Sequence, residues 1–242
     1  MRHSVQSAKS FELFGISQEE NRFKLALQCA SHSSTAVAHY FSNFGIGNSE
    51  WKMKIATRCV EHSDERTPHF IKNFELNQEQ VYELATILAR TSPRHLIPSI
   101  KHLNIKDQDR VYELALECAK YNGAETLKQL DNFDIDDRGT RFHIAIACAR
   151  QNGAEIAELI SEQTVDTLGF DSKQRSLLVR ECLIENVSAT GEYFPEEMDA
   201  VLSNSVQFRQ LFAETLQNLN GDGAYLLVRQ QLLTQQEHVT RE

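Results

Sequence analysis

Helix-breaking residues are scarce in this chain, which has only four prolines and ten glycines among its 242 residues. Such a composition is typical of a helical protein with short loops. No run of about 18 apolar residues occurs, which predicts that no helix crosses a membrane. Residues 1–7 also lack the apolar stretch of a cleavable signal peptide. We therefore expect a cytoplasmic protein, either in the cell that makes it or in a host cell that receives it.

Familiar catalytic motifs are absent as well. The chain contains no Gly-x-Ser-x-Gly, no Gly-x-x-x-x-Gly-Lys-Ser/Thr, no His-Glu-x-x-His and no Gly-x-Gly-x-x-Gly. The sequence therefore predicts no catalytic residue and no cofactor, and it favours a non-enzymatic role.

Positively charged residues are outnumbered by negatively charged ones. The net charge is −9, with +1 in residues 1–100 and −10 in residues 101–242. A net acidic chain repels phosphate backbones at long range, which makes nucleic acid an unfavoured partner.

The most prominent feature that the sequence does contain is a repeat. Its units are marked by five similar tripeptides, spaced 30, 29, 30 and 30 residues apart: Phe14-Gly15-Ile16, Phe44-Gly45-Ile46, Phe74-Glu75-Leu76, Leu103-Asn104-Ile105 and Phe133-Asp134-Ile135. An alanine follows at one fixed place in each unit: Ala26, Ala56, Ala85, Ala115 and Ala145. An aliphatic residue precedes each alanine, and a cysteine or leucine stands three positions after it. These spacings predict an amphipathic first helix of about four turns in every unit.

A second helix is predicted in the later part of each unit. Its N-cap column is Ser33, Ser63, Ser92, Asn122 and Asn152, and its buried column is Phe41, Ile71, Ile100, Leu130 and Ile160. Capping boxes are predicted for four pairs: Ser17 with Glu20, Asn77 with Gln80, Asn122 with Glu125 and Asn152 with Glu155. Pro93 suits a first helical position, whereas Pro68 and Pro98 fall inside predicted second helices and should kink or shorten them.

The fold prediction follows from the repeat, because one helical hairpin cannot bury its apolar face alone and stacked copies can. We predict an all-α fold: a right-handed-type αα-hairpin solenoid of five to six 30-residue repeats with a C-terminal helical cap. The predicted domains are a flexible N-terminus at 1–13, the solenoid at 14–187 and the cap at 188–242. A degenerate sixth unit at 168–186 keeps its column residues in order: Phe170, Arg175, Val179, Cys182 and Asn186. Further helices are predicted at 195–203, 206–219 and 224–235, either as a cap on the last repeat or as a separate interaction module.

The repeated hairpin resembles the αα-hairpin helical-repeat proteins, the class that includes tetratricopeptide and Sel1-like arrays, over residues 14–186. It departs from the tetratricopeptide pattern, whose unit has about 34 residues and a Trp-x-x-Leu-Gly-x-x-Tyr start that is missing here. The string Leu114-Ala115-Leu116-Glu117-Cys118-Ala119, followed by Asn122-Gly123-Ala124-Glu125, is also similar to helical repeats in secreted proteins of intracellular bacteria. The first resemblance implies an extended partner-binding surface, and the second implies a secreted effector.

All five cysteines fall in one column of the repeat: Cys29, Cys59, Cys118, Cys148 and Cys182. Stacked helices lie about 8–10 Å apart, whereas a disulfide needs Cα atoms within about 7 Å. Neighbouring cysteines should therefore stay reduced, as in an intracellular protein. Cys-x-x-His starts at Cys29 and at Cys59 and would suggest zinc, but side chains related by the repeat point in parallel rather than towards one ion. The sequence therefore predicts no metal site.

The candidate binding surface consists of three polar columns on the first helices, here called the ribbon. The columns are spaced by four and three residues: Lys24, Lys54, Glu83, Glu113 and His143; Gln28, Arg58, Ile87, Glu117 and Ala147; Ser31, Glu61, Arg90, Lys120 and Arg150. The partner-binding candidates among them are Lys24, Lys54, Arg58, Glu83, Arg90, Glu113, Glu117, Lys120 and Arg150. The alternative is a merely solvated face, on which Arg90, Lys120 and Arg150 complement helix dipoles.

The leading hypothesis is a non-enzymatic scaffold or adaptor that binds a protein or peptide partner along the ribbon. Two alternatives stay open: a secreted bacterial effector with an activity in its tail, around residues 192–214, and an RNA-binding helical repeat. The RNA alternative requires a basic stripe that carries aromatic residues. Only Arg90, Lys120 and Arg150 are in register on the ribbon.

Overall fold

The structure is a computed structural model, which describes residues 2–161, 169–186, 190, 193 and 194. Among these residues every regular element is a helix and no strand is present, which confirms the all-α class. The α-helices are α1 (Arg2–Lys9), α2 (Glu19–Ala30), α3 (Ser34–His39), α4 (Ser49–Glu61), α5 (Gln78–Thr91), α6 (Pro93–Leu96), α7 (Gln108–Tyr121), α8 (Gly123–Lys128), α9 (Arg138–Ser161) and α10 (Ser172–Glu185). Short 3₁₀ segments lie at Phe11–Phe14, Phe41–Phe44, Thr67–Phe74, Ile97–Leu103 and Leu130–Phe133. No helix in the described ranges is both long and apolar enough to span a membrane.

Each unit opens with a long helix, as the spacing predicts. These helices are α2, α4, α5, α7 and the part of α9 that precedes a break at Asn152, where φ is −135°. The second helices are shorter than predicted: α3, α6 and α8 have six, four and six residues, and each leads into a 3₁₀ segment.

The 3₁₀ segments end at the first residue of each repeated tripeptide, and the second residue is left-handed. Its φ is 62° at Gly15, 59° at Gly45, 54° at Glu75, 50° at Asn104 and 56° at Asp134. Glycine adopts this conformation without a steric penalty, whereas a residue with a Cβ adopts it at a cost in energy. The tripeptide is therefore a helix stop, which ends one hairpin and turns the chain into the next long helix.

The interior is built from columns that recur along the sequence. The repeated alanines are all 0% exposed: Ala26, Ala56, Ala85, Ala115 and Ala145. The second-helix column is buried in each unit as predicted: Phe41, Ile71, Ile100, Leu130 and Ile160. The aliphatic residue before the alanine is buried in every unit except the first, where Leu25 is 38% exposed. Small side chains in the alanine column allow neighbouring helices to approach closely.

Contacts run mainly between neighbouring units. The long helices pack in sequence order, α2 on α4, α4 on α5, α5 on α7, α7 on α9 and α9 on α10. The ring of Phe11 packs against Phe44 and that of Phe41 against Phe74, with centroids 4.3 Å apart in both pairs. One junction is thus repeated after one sequence period.

Glycines stand where two later units approach most closely. The Gly123 N–H donates to Asn152 Oδ1 at 2.9 Å, and a Cβ on Gly123 would lie 2.9 Å from the Cys148 carbonyl oxygen. A Cβ on Gly153 would lie equally close, at 2.9 Å, to the carbonyl oxygen of Cys182. Backbone at this distance leaves no room for a side chain.

The predicted caps are present in part. Asn77 and Gln80 form the full capping box at the start of α5. Asn122 caps α8 by accepting from the Glu125 N–H at 3.3 Å. Both side chains therefore satisfy N–H groups that the first turn of a helix leaves without a partner.

Other predicted caps are wrong. Ser33 and Ser92 stand at N-cap positions but make no side-chain capping hydrogen bond, and the segment after Ser63 begins only after Arg66. Helix α2 begins only after Gln18 and has no side-chain cap, so Ser17 and Glu20 form no capping box. Asn152 accepts from a glycine N–H in the preceding unit rather than capping with Glu155, because the two units approach closely there.

Of the two predicted effects of the prolines, a kink or a shortening of the second helix, the structure shows the shortening, since α6 ends at Leu96 and the unit of Pro68 has a 3₁₀ segment in place of a second α-helix. Pro68 and Pro98 stand in the first turns of the 3₁₀ segments Thr67–Phe74 and Ile97–Leu103. A first turn tolerates proline because its N–H would have no partner there. Asp64 Oδ1 accepts from the N–H groups of Arg66 and Thr67, at 2.9 and 3.1 Å, and so fixes the start of the first of these segments.

Residues 2–14 overlap the segment predicted as the N-terminus at 1–13. They form α1 and the 3₁₀ segment Phe11–Phe14, and Ala8 and Phe11 are buried. The physical reason is the repeat, since Phe11 precedes Phe41 by one period and packs in the same way. Residues 2–14 thus correspond to the second half of a unit.

The degenerate sixth unit contributes α10. Val179 and Cys182 are 2% and 0% exposed, as their columns predict. The Phe170 ring lies edge-on to Phe142, with centroids 5.5 Å apart. The three helices predicted at 195–203, 206–219 and 224–235 lie outside the described residues.

Candidate partner-binding face

The ribbon lies on the surface of the long helices. Its first column is exposed in all five units: Lys24, Lys54, Glu83, Glu113 and His143. Its third column is exposed in four of them, at Glu61, Arg90, Lys120 and Arg150, and Ser31 is half-buried. Arg58 and Glu117, in the second column, are half-buried. The nine candidate residues therefore all reach solvent, although in different degrees.

Cations at the start of the ribbon are paired within their own helices. Lys24 Nζ lies 2.6 Å from Glu20, Lys54 Nζ 2.5 Å from Glu50, and Arg58 3.2 Å from Glu61. The hydrogen bonds from the lysines lower the pKa of the Glu20 and Glu50 carboxyls. Lys24, Lys54 and Arg58 therefore form ion pairs, and this part of the ribbon carries little net charge.

Two arginines of the third column connect neighbouring units. Arg90 Nε lies 2.7 Å from Glu117 across the junction of α5 and α7, and Arg150 Nε lies 2.8 Å from Glu181 across that of α9 and α10. Lys120 approaches the second oxygen of Glu117 at 2.6 Å. The hydrogen bond from Lys120 is the main cause that lowers the Glu117 pKa, and Arg90 adds to it against the effect of burial.

Tyrosines form a second set of connections between units. The Tyr82 hydroxyl bonds the Glu113 carboxylate, and one unit later the Tyr112 hydroxyl bonds His143 Nδ1. These residues occupy the same two columns, so the contact recurs with the repeat. Glu83, by contrast, makes no side-chain hydrogen bond or ion pair with any residue that the structure describes.

An open groove of about 780 Å³ adjoins the ribbon at the beginnings of α7 and α9. Here called the α7–α9 groove, it is lined by Asp109, Tyr112, the segment 134–137 and His143, among others. Asp134 lies 3.3 Å from Lys101. The hydroxyl and N–H of Thr140 bond Asp137 at 2.7 and 2.6 Å and lower its pKa.

Sequence reasoning missed the groove and the pairs between units. A signal for the groove was available, since the four residues after Phe133, 134–137, include three aspartates. A signal for the pairs was also available, because Arg90 and Glu117 have opposite charges in adjacent columns of consecutive units.

The thiols of the cysteine column are mostly shielded from solvent. Cys59, Cys118, Cys148 and Cys182 are buried, Cys29 is half-buried, and all five are free thiols. Burial raises the pKa of all five thiols, those of Cys148 and Cys182 to about 12. A thiol of this kind stays protonated near neutral pH and is a poor nucleophile or metal ligand. In the part of the chain that the structure describes, no three His, Cys, Asp or Glu side chains are grouped to hold a metal ion.

Comparison with protein-family models, with curated protein sequences and with solved structures finds no match for this chain. The chemistry of the ribbon and of the α7–α9 groove is therefore interpreted from their own residues.

Proposed function

We propose that this protein is a non-enzymatic scaffold, a helical-repeat solenoid that binds a peptide segment of a protein partner along the ribbon. The solenoid is favoured by the packing of each long helix on the next. Repetition of one ring junction, Phe11 on Phe44 and Phe41 on Phe74, also favours it. Stacked repeats of this kind bind partners on their extended surfaces.

The observation that carries the proposal is the position of the groove. His143 belongs to the first column of the ribbon and also lines the α7–α9 groove. The groove therefore continues the row formed by Glu83 and Glu113, and it offers concave surface beside the exposed column. A bound segment would gain contact area from aromatic Tyr112 and polar contacts from the surrounding carboxylates.

Charge defines the partner more closely. The start of the ribbon is neutralised by its own ion pairs, whereas Glu83, Asp109 and Asp136 have no ion-pair partner among the described residues. Uncompensated carboxylates attract cationic groups and disfavour anionic ones. The partner segment is consequently basic where it meets α5, α7 and the groove, and a nucleic acid is disfavoured at the same place.

A selection from a displayed library of random peptides tests this function. Selected peptides should be rich in Lys and Arg, and their affinity is then measured by fluorescence anisotropy. For the double variant Glu83→Lys/Asp136→Lys we expect the Kd to rise by about tenfold or more, which corresponds to roughly 1.4 kcal/mol. Failure to select any peptide, or equal affinity for the double variant, contradicts the proposal.

A matched control has the same change of charge elsewhere. Glu155 and Glu158 are exposed on the second part of α9, outside the ribbon and the groove. The variant Glu155→Lys/Glu158→Lys should retain wild-type affinity. Equal weakening in both double variants would mean that overall charge, rather than the ribbon, governs binding.

A further inference from the structure

Apolar side chains are exposed at the first unit, where the later units bury theirs. Phe14 is 58% exposed, whereas Phe44, Phe74, Leu103 and Phe133 in the same column are at most 5% exposed. Leu25 is 38% exposed, whereas the other members of its column are at most 1% exposed. Leu13, beside Phe14, is 85% exposed. We call these three residues, with Lys9 and Glu12, the N-terminal edge.

Missing stacking explains the exposure of Phe14. Later residues of its column pack against a ring of the preceding unit, Phe44 on Phe11 and Phe74 on Phe41, at 4.3 Å. Among the described residues, the one aromatic ring that Phe14 contacts is Phe11 of its own segment, with centroids 6.0 Å apart and edge-on. The N-terminal edge thus continues the interface between units, and among the described residues no further unit covers it.

Leu13 stands in a column that is polar in the units that follow. Asn43 Nδ2 donates to the Lys9 carbonyl oxygen at 3.0 Å, and Asn73 Nδ2 donates to that of Ala38 at 3.0 Å. These asparagines satisfy the carbonyls at the end of the preceding second helix. A repeat whose outer face meets solvent is expected to carry polar residues there, yet the first unit carries leucine.

The charges that flank the apolar residues are self-complementary. Lys9 and Glu12 are both exposed, and neither makes an ion pair with a residue that the structure describes. Two copies related by a two-fold axis present the same patch to each other. Each lysine can then face the glutamate of the other copy.

We propose that the N-terminal edge is a two-fold interface between two copies of this chain. Leu13, Phe14 and Leu25 of each copy pack against those of the other, and Lys9 of one copy pairs with Glu12 of the second. Continuity with the repeat-to-repeat interface supports the apolar contact, and the paired opposite charges favour a second copy over an unrelated partner. Glu83 and the α7–α9 groove, where the partner segment is proposed to bind, lie in later units than this edge, so the dimer is tested separately from the scaffold function.

Sedimentation velocity over a series of protein concentrations tests the interface. Wild-type protein should show a monomer–dimer equilibrium, and Leu13→Glu should raise the dimer Kd by about tenfold or more. Leu13→Asn, which places the residue of the later units in this column, should weaken the dimer without disturbing the fold. A wild-type protein that stays monomeric throughout the series overturns the proposal, as does a Leu13→Glu dimer of wild-type strength.

Tyr121→Glu is the matched control. Tyr121 is 56% exposed at the end of α7, close to the 58% of Phe14, and lies far along the chain from the edge. It should leave the dimer Kd unchanged, whereas Phe14→Glu should raise it. If Tyr121→Glu weakens the dimer as much as Phe14→Glu does, the interface is elsewhere and the proposal fails.

Charge exchange tests the two-fold arrangement. Lys9→Glu and Glu12→Lys each place like charges opposite one another in a homodimer, so each variant should dimerise more weakly than the wild type. A mixture of the two restores both pairs and should form heterodimers more tightly than either variant forms homodimers. A mixture that associates no better than its components contradicts the two-fold interface.

Discussion

The Arg90 guanidinium lies 2.7 Å from the Glu117 carboxylate and connects α5 to α7, and Arg150 makes the equivalent contact with Glu181. Arg90 and Arg150 share one column, and Glu117 and Glu181 share another. The contact therefore belongs to the repeat, and three of the candidate partner-binding residues, Arg90, Glu117 and Arg150, hold neighbouring units together. This separates the ribbon into residues that stabilise the array and residues that remain available to a partner.

Removing the Glu117 charge should weaken the junction. The Glu117 side chain is only 14% exposed and bonds both Arg90 and Lys120, so Glu117→Gln should lower the free energy of unfolding by about 1 kcal/mol. Urea denaturation followed by circular dichroism measures the change. Glu83→Gln, which removes a carboxylate that has no partner among the described residues, is the control and should leave stability unaltered. An equal loss in both variants would show that Glu117 has no special role.

The same pair predicts a dependence on pH. The folded protein lowers the Glu117 pKa below its ordinary value of 4.5. The resulting stability is fully present above the unfolded pKa and is lost as the pH falls through the folded pKa. Wild-type protein should therefore lose more stability than Glu117→Gln between about pH 5 and about pH 3. Parallel stability curves for the two proteins would contradict this assignment.

The space around two glycines predicts different effects of an alanine substitution on stability. Gly123→Ala would place a Cβ 2.9 Å from the Cys148 carbonyl oxygen, and we expect it to lower stability by about 2 kcal/mol. Gly139, in the first turn of α9, has only the side chain of Asp137 nearby, at 3.2 Å. Gly139→Ala should leave stability nearly unchanged, because a helix favours alanine over glycine by about 0.5 kcal/mol but Asp137, which Thr140 holds at 2.6 and 2.7 Å, must shift to make room. Thermal denaturation of both variants measures these changes in stability. If Gly123→Ala leaves stability unchanged, the junction between the units can relax to admit the Cβ.

The left-handed column predicts a ranking of substitutions at Gly45. A Cβ there would meet nothing closer than 3.8 Å, so the cost of Gly45→Ala arises from the backbone alone. We expect a loss of about 1 kcal/mol in the free energy of unfolding. Gly45→Asn should cost less, since asparagine tolerates this conformation and Asn104 already adopts it with a φ of 50°. Chemical denaturation measures the free energy of unfolding of both variants. If Gly45→Ala is as stable as Gly45→Asn, or more stable, this interpretation is wrong.

Much of the fold could be predicted from the sequence because burial follows the period. The alanines and the residues related to Phe41 recur at helical spacings, and one face of each helix must therefore be apolar. The 3₁₀ segments could not be predicted from those columns, because apolar spacing of three or four residues suits both helix types. The left-handed residues were indicated only by glycine at Gly15 and Gly45, and their equivalents Glu75, Asn104 and Asp134 concealed the pattern.

The candidate site was less accessible to prediction. Exposure of the first column follows from its place on the helix, opposite the buried columns. The partners of Arg90 and Tyr82 depend on how far one helix is shifted along the next, and a sequence period does not specify that shift. The α7–α9 groove likewise depends on the distance between two helices and the loop before α9. The structure was therefore needed to separate the residues that connect units from Glu83, which has no partner in the part of the chain that the structure describes.

Thiol labelling tests the packing of the cysteine column. Burial raises the pKa of all five thiols, but Cys29 is only half-buried, whereas Cys59, Cys118, Cys148 and Cys182 are buried. Only the thiolate reacts readily with iodoacetamide, so native protein should gain one label first, at Cys29, and four more only on unfolding. Intact-mass spectrometry counts the labels, and Cys29→Ser should abolish the early one. Two or more labels on native Cys29→Ser protein would show that these units open in solution, which close packing of the repeats does not allow.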